Sequence, residues 1–334
     1  MRLSVVIISL LLYSCSSNKT PDVSNIKINI TTQRFEKDFF DTSANNLLTY
    51  LKQLNAHNSA FINIFLGQIL TVDPAWPADT AAVYVNGFIK SYRPVYDSAE
   101  KIFTDFSTYE KQIKKGMQYV RYYFPKYVLP KKIITYIGPA DGYGDILADD
   151  AFIIGLQHHL GKNNNLYKTT FVAETYPSYV SQRFEPAYIA INCMKNIVND
   201  LYPEKVEDKT LITQMVEKGK RLYLLSKLVP EEEEYKLIGY TKEQLKDSYA
   251  HEAVIWDLFI KNSLLQITDN NISKNYVDDG PKTQELGEGA PGNIGSFAGW
   301  QVVKKYAQKN PATSLQDIMK LDAEIIFQEA KYKP

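Results

Sequence analysis

The chain has 334 residues, of which 45% are hydrophobic and 23% charged, as is usual for a globular protein of one large domain or two small ones. Its 38 basic and 38 acidic residues give a formal net charge of zero, which argues against broad electrostatic binding of nucleic acid. The 24 tyrosines suit protein or glycan contacts, although tyrosine packs equally well at the edge of a core.

The N-terminal segment predicts export and lipid attachment. An apolar run from Leu3 to Leu12 follows Arg2. This run is too short to span a bilayer, which takes ~20 apolar residues, and it is typical of a signal peptide. It ends in Leu-Tyr-Ser-Cys, which is similar to a bacterial lipobox, so we expect cleavage before Cys15 and acylation of its thiol. The alternative is an ordinary secretory peptide with an incidental cysteine.

These features divide the chain into three parts. Residues 1–14 are predicted to be a lipoprotein signal peptide, residues 15–25 the acylated cysteine with a polar tether, and residues 26–334 a single globular domain. Cys193 is the only other cysteine, so no intramolecular disulfide is expected once Cys15 is acylated. The apolar neighbours of Cys193 predict a buried structural thiol.

Periodicity in the first half of the domain predicts helices and a small sheet. The alternation of Ile26, Ile28 and Ile30 with polar residues predicts a short strand. Residues 45–70 have a helical pattern, and the apolar spacing of residues 98–124 predicts an amphipathic helix. Two β-rich runs within residues 131–156 predict a pair of strands.

The second half is predicted to be helical. The patterns indicate helices from Pro186 to about Tyr202, over residues 211–228, from about Gly295 to Gln308, and from about Ser314. A capping box, Thr241-x-x-Gln244, is predicted to open a further helix. The fold class is therefore α+β: a predominantly helical single domain with a small antiparallel sheet.

The stretch HEAVIW (251–256) begins like the zinc-peptidase motif His-Glu-x-x-His. A catalytic zinc typically takes three protein ligands, and Ile255, which replaces the second histidine, has no lone pair to offer. The adjacent His158 and His159 could supply imidazoles, but neighbouring side chains on an extended chain point to opposite faces. The sequence therefore predicts no zinc site at His251, and no metal elsewhere.

Two further stretches match ligand motifs only in part. The loop DGYGDILADD carries four carboxylates, whose spacing does not fit an EF-hand, so a turn with solvated acids is expected. The letters of GEGAPG (287–292) match a dinucleotide motif, but a polar loop precedes it and Pro291 lacks a backbone donor. Downstream, Gly295 and Gly299 fall on one helical face, where they allow another backbone to approach, with Trp300 packed beside them.

Segments along the whole chain resemble one family. PGNIGSFAGWQVVKKY (291–306), with Gly292, Gly295, Gly299 and Trp300, resembles the signature of the gliding-motility lipoprotein family GldB of Bacteroidetes. The other resembling segments are 120–138, 153–163, 176–190, 217–230, 238–241, 255–269 and the terminal AKYKP. The lipobox at Cys15 agrees with this resemblance.

The resemblance implies a non-catalytic envelope lipoprotein that is an accessory of gliding motility and associated secretion. It would be anchored in the membrane through acylated Cys15, bind protein partners of the motility or secretion machinery, and need no cofactor. In Bacteroidetes lipoproteins, a run of acidic residues just after the cysteine resembles a surface-export signal. The tether of this chain lacks such a run. A periplasm-facing position is therefore expected.

The family is itself similar to a group of predicted zinc peptidases, which implies a zincin-like, degenerate fold. By that analogy Phe184 and Tyr188 stand in the two histidine positions, Glu185 in the position of the base, and Glu217 in that of a third ligand. Two alternatives stay open: a zinc-dependent metallopeptidase-like hydrolase with an irregular site, and a peptidoglycan- or glycan-binding periplasmic module.

Overall fold

The structure is a computed structural model that describes residues 20–40, 49, 61–204 and 209–334. The predicted signal peptide, Cys15 and most of the predicted helix over residues 45–70 lie outside the described residues. The described part of the predicted tether, residues 20–25, packs against the domain, since Val23 is fully buried.

A four-stranded sheet runs in the order β1-β2-β4-β3. Its strands are β1 (Thr31–Arg34), β2 (Lys132–Tyr136), β3 (Ile146–Leu147) and β4 (Ala151–Gly155). β2 pairs in parallel with both β1 and β4, and only the short β3 runs antiparallel, to β4. β2 and β4 are buried along almost their whole length, as is usual for parallel strands covered on both faces.

The sheet is thus mixed, and the predicted antiparallel sheet is wrong in this respect. The sequence did predict the two principal strands, but the hairpin forms between β3 and β4. Residues 137–145 lead from β2 to β3 at the edge of the sheet, and because β3 runs back along that edge, β4 follows parallel to β2. The isoleucines at 26, 28 and 30 precede the first strand, which begins at Thr31.

Helices make up most of the rest of the described chain. They are α1 (Phe35–Phe40), α2 (Ala78–Ile102), α3 (Ser107–Tyr123), α4 (Thr170–Thr175), α5 (Ser178–Ser181), α6 (Ile189–Leu201), α7 (Leu211–Leu228), α8 (Glu234–Ile238), α9 (Lys242–Ala250), α10 (Glu252–Lys261), α11 (Asn270–Val277), α12 (Ile294–Lys309), α13 (Leu315–Lys320) and α14 (Ala323–Ala330). A π-helical turn covers Phe65–Ile69, and 3-10 turns cover Leu156–His158, Asn165–Lys168, Pro186–Tyr188, Leu264–Gln266 and Gln284–Leu286.

Several helix limits agree with local signals in the sequence. The predicted helix over 211–228 is α7, with Thr210 as its N-cap. The capping box opens α9, where the Thr241 hydroxyl accepts from the backbone of Gln244 and the Gln244 side chain accepts from the backbone of Thr241. Such reciprocal bonds satisfy donors that a helix start leaves free.

The predicted helix over residues 98–124 is interrupted between α2 and α3. Phe103 and Phe106 at the break are both buried. The carbonyl oxygen of Phe103 accepts a hydrogen bond from Arg34 Nη1 at 2.7 Å. A side chain at the end of β1 thus satisfies a carbonyl group that the end of the helix leaves without a backbone partner.

The core of the helical part is the pair α7 and α12. Within the described chain no other two elements pack more extensively. α12 is buried on nearly all sides, with twelve of its sixteen residues buried. It is therefore a central helix, and its solvent-exposed face is narrower than that of an ordinary amphipathic helix. α11 and α14 pack against its flanks.

Candidate functional site

The positions aligned with a zinc-peptidase site do not share one regular helix. Glu185 has an extended backbone (φ −126°, ψ 149°) and is followed by the 3-10 turn Pro186–Tyr188. In a zinc helix the two histidine positions, which are Phe184 and Tyr188 here, stand one turn apart on one face. Phe184 instead stacks on the His158 ring with centroids 4.7 Å apart, and Tyr188 is buried.

The two glutamates have salt-bridge partners of their own. Glu185 Oε1 lies 3.7 Å from Lys162 Nζ. Glu217 Oε1 lies 2.7 Å from Lys220 Nζ, three residues on in α7. Within residues 20–40, 61–204 and 209–334, no group of three or more His, Cys, Asp or Glu side chains is arranged to hold a metal ion.

HEAVIW forms the junction of two helices. His251 ends α9 and precedes α10, is exposed, and has its Nδ1 2.9 Å from the Asp247 carbonyl oxygen. The Glu252 carboxylate accepts a hydrogen bond from the Tyr332 hydroxyl. Trp256 packs edge-on against the Tyr332 ring, at 4.9 Å between centroids. The stretch therefore fastens the C-terminal residues to α10.

The glycines of the segment 291–306 lie against backbone atoms of other elements. A Cβ atom built on Gly299 would lie 1.8 Å from the Met215 carbonyl oxygen, and one built on Gly295 2.9 Å from that of Tyr276. A Cβ built on Gly292 would lie 2.3 Å from the Gly280 carbonyl oxygen. These contacts place α12 directly on α7 and α11, closer than a side chain would permit.

Trp300 is the largest side chain at this crossing. It is fully buried, and Lys304 Nζ lies 4.0 Å from its ring centroid. The same ammonium donates to Glu234 Oε1 at 2.6 Å and to the Tyr249 hydroxyl at 2.8 Å. A cation over the face of an indole is attracted by the negative face of the ring, so this cluster joins α12 to α8 and α9.

A buried ion pair lies beside the sheet, where β3 begins. His159 Nε2 is 2.9 Å from Asp145 Oδ2, and its Nδ1 is 3.1 Å from the Glu185 carbonyl oxygen. Both neighbours are acceptors, so the imidazolium form, which donates from both nitrogens, fits this site. Burial lowers the pKa of His159, but the Asp145 carboxylate outweighs burial and holds that pKa above its usual value.

This pair is suited to holding the chain in place. Asp145 also accepts from Asn192 Nδ2 at 2.8 Å, so it connects α6 to the loop before β3. With both ring nitrogens engaged, His159 has none left to act as a base. The sequence predicts Asp145 to be a solvated acid, but its side chain is only 5% exposed. The neighbouring His158 points elsewhere, to the Ala140 carbonyl oxygen at 2.9 Å.

A cavity of about 370 Å³ lies between α6, α7, α8 and α11 and the start of α12. Its apolar wall consists of Val198, Leu222, Leu225, Leu237, Ile238 and Val277. Its charged residues are Arg183, Lys195, Lys218, Arg221, Glu204, Asp278 and Asp279. A concave, partly apolar site with a few convergent polar groups is the usual form of a small-molecule site.

Among the described residues, the charges in this cavity are paired with one exception. Arg183 lies 2.6 Å from Asp279, and Lys218 lies 3.1 Å from Glu204. Lys195, which is partly buried, has no hydrogen bond or ion pair with any described residue. Burial and then the nearby Arg183 lower its pKa to about 8.

Comparison with known families decides where the chain belongs. The family described as gliding motility protein GldB matches residues 16–334. The chain belongs to the GldB family. No curated protein and no solved structure matches it, so the expected likeness to zinc peptidases stays a prediction. In the described part of this GldB-family chain, no helix has the length and apolarity needed to cross a membrane.

Sequence reasoning missed the residues that make the cavity of this GldB-family protein. One sequence feature could have pointed to Lys195: it is the lone charged residue in the apolar run IAINCMKNIV. No such feature pointed to Asn293, Arg183 or Asp279, because loops far apart in the sequence bring them together. The run also contains Cys193, which is buried, and burial raises the pKa of its thiol well above the usual value.

Proposed function

We propose that this protein is a lipid-anchored, non-catalytic component of the cell envelope that serves gliding motility by binding other envelope proteins. The observation that carries the proposal is the GldB family match over residues 16–334. The Leu-Tyr-Ser-Cys stretch just before that match supplies the lipid anchor. Associated secretion and a periplasm-facing position belong to the same proposal.

The position of the first described residues supports a lipid anchor that lies close to the surface of the domain. Thr20 and Pro21 lie with Tyr123 and Tyr223 in a surface cavity. Only five peptide units separate Cys15 from Thr20, so they reach at most ~18 Å when fully extended. An acyl group on Cys15 would therefore hold this face of the domain near the bilayer.

The side chains that sequence motifs offered for catalysis are engaged in structural contacts. His159 uses both ring nitrogens, the Cys193 thiol is buried, and Glu252 of HEAVIW bonds Tyr332. These contacts support a binding role over a hydrolytic one.

The anchor is tested in cells of the source organism with an alkynyl palmitate analogue. The wild type is expected to be labelled and to sediment with membranes, whereas Cys15→Ser is expected to be unlabelled and released. Ser16→Ala, which changes the adjacent residue, serves as the control and should behave as the wild type. Equal labelling of Cys15→Ser would refute the anchor.

The binding role is tested by crosslinking in intact cells, followed by mass spectrometry. Motility and secretion proteins are expected among the crosslinked neighbours, and deletion of the protein is expected to reduce gliding. If the purified protein instead hydrolyses peptides with stoichiometric zinc, and Glu185→Gln abolishes that activity, the metallopeptidase alternative holds and this proposal fails.

A further inference from the structure

We propose that the cavity between α6, α7 and α11 binds a small ligand that has one carboxylate and an aliphatic portion. This inference goes beyond the proposed function and does not rest on the lipid anchor or on motility. It rests on three observations: the net charge of the cavity, its two side chains without partners, and its apolar wall.

Among the residues that the structure describes, the charged groups of the cavity leave one cation without an anionic partner. Four cationic residues line it, Arg183, Lys195, Lys218 and Arg221, against three carboxylates, Glu204, Asp278 and Asp279. The carboxylates all lie in ion pairs with the other three cations. The remaining ammonium belongs to Lys195. A partly buried charge without a partner is costly, and a ligand with a single negative charge would supply the partner.

A second group in the cavity lacks a partner. The side-chain amide of Asn293 makes no hydrogen bond with a described residue, and its Oδ1 is buried. Asn293 stands at the start of α12 in the left-handed conformation (φ 59°). The buried Oδ1 is an acceptor and would suit a donor, whereas the amide N–H groups and the Lys195 ammonium are donors that suit a carboxylate.

The volume and the apolar wall of the cavity indicate what the ligand carries besides its carboxylate. A volume of about 370 Å³ lies at the lower end of the range for small-molecule sites. The leucine, isoleucine and valine side chains of α6, α7, α8 and α11 offer an apolar surface to the aliphatic portion of the ligand. A group with two negative charges fits less well, because only one cation of the described cavity lining lacks a partner, while three carboxylates lie around it.

The pKa of Lys195 is expected to make ligand binding depend on pH. Since that pKa is about 8, the ammonium is present at pH 7 and is lost from the ligand-free protein above pH 8. The other charged groups facing it are Arg183, Lys218 and Arg221 and the carboxylates Glu204, Asp278 and Asp279. Lys218 is held in two ion pairs, with Glu204 and Asp278.

Calorimetric titration with decanoate tests the proposal. The protein is the mature chain from position 15 with Cys15→Ser, so that it carries no acyl chain. Decanoate is expected to bind at pH 7, and to bind at least about tenfold more weakly at pH 9.5 or to Lys195→Met, because a charge-assisted bond is lost. Decanol has the aliphatic part of decanoate without its charge, and acetate has the charge without the aliphatic part. Both are expected to bind at least about tenfold more weakly than decanoate.

Matched variants separate binding from folding. Lys305→Met replaces an exposed lysine of α12 and is expected to bind decanoate as the wild type does. Leu222→Trp places a larger side chain in the cavity and is expected to abolish binding. Lys195→Met without ligand is expected to melt at the same temperature as the wild type or higher, since it removes an ammonium that has no partner.

The source of the carboxylate is distinguished by a second probe, the tripeptide Ala-Ala-Leu with a free C-terminus. Tighter binding of decanoate indicates a fatty acid, and tighter binding of the tripeptide indicates a peptide C-terminus. The proposal is overturned if the folded wild type binds neither probe, if Lys195→Met binds as the wild type does, or if decanol binds as tightly as decanoate.

Discussion

Gly219 of α7 and Gly299 of α12 lie against each other: a Cβ atom built on Gly219 would lie 2.3 Å from the carbonyl carbon of Gly299. A Cβ on Gly299 would lie 1.8 Å from the carbonyl oxygen of Met215 in α7. These neighbours are backbone atoms, which cannot move aside by changing a rotamer. Glycine at both positions therefore sets the distance between the two central helices.

Gly299→Ala is expected to destabilise the protein by about 3 kcal/mol or more, because the added methyl group overpacks a rigid crossing. Chemical denaturation at equilibrium measures this loss. Gly87→Ala in α2 is the matched control, since Gly87 is exposed and its built Cβ meets no atom within 4 Å. That variant is expected to gain about 0.5–1 kcal/mol from helix propensity. Equal effects at the two sites would contradict this account of the crossing.

The His159–Asp145 pair is expected to make stability depend on pH. Because the pKa of His159 is raised in the folded state, the pair contributes fully below the unfolded pKa of about 6.5. The contribution is lost as pH rises through the higher folded pKa. The difference in stability between the wild type and His159→Gln should therefore be largest near pH 6 and shrink towards pH 9.

Denaturation of both proteins at each pH measures this difference, and a difference that does not change with pH would argue against the ion pair. Asp145→Asn is expected to cost about 3 kcal/mol or more at pH 6, since it leaves a buried imidazolium without its partner. His251→Gln at the exposed helix junction is the control, with an expected change below about 0.5 kcal/mol.

Lys220 is expected to hold the C-terminal helices on α7. It is 3% exposed, and its ammonium donates to the carbonyl oxygens of Met319 at 3.2 Å and Leu321 at 2.9 Å. Lys220→Met would leave both carbonyls without this donor, at a cost of about 2–3 kcal/mol. Hydrogen exchange should show faster opening of α13 and α14 than in the wild type.

Glu217→Gln is the companion variant for Lys220. The Glu217 side chain is 39% exposed, and solvent-exposed ion pairs contribute little, about 0–1 kcal/mol. We expect a loss below about 1 kcal/mol and unchanged exchange in α13 and α14. A loss as large as that of Lys220→Met would mean that the ion pair, and not the two carbonyl bonds, holds these helices.

Zinc is expected to have no effect on this protein. Elemental analysis after purification without chelator should find no stoichiometric zinc, and added zinc should leave the melting temperature unchanged. Glu185→Gln is expected to change stability by less than about 0.5 kcal/mol, because the side chain is 35% exposed and its ion pair with Lys162 is long, at 3.7 Å. Stoichiometric zinc that disappears in Glu217→Gln, which changes the position of the expected third ligand, would support the metallopeptidase alternative.

The sequence alone predicted the features that depend on neighbouring residues. Thr241 and Gln244 form the predicted capping box, and α7 covers the predicted residues 211–228. The class of fold and the two main strands were also predicted. Caps, helix periods and β-rich runs act within a few residues, so they can be recognised without knowing what packs against them.

The tertiary structure decided what depends on residues far apart in the chain. Arg34 donates to the carbonyl oxygen of Phe103 at the end of α2, 69 positions away. β2 and β4 are parallel because β3, which lies between them in the chain, runs back at the edge of the sheet. Asp145 is buried because His159 and α6 lie over it, although its local sequence is that of a solvated turn. Lys195 likewise lacks a partner within the described part of the chain, because three other cations pair with the carboxylates around it. Such pairings depend on distances in space, which the order of residues along the chain does not contain.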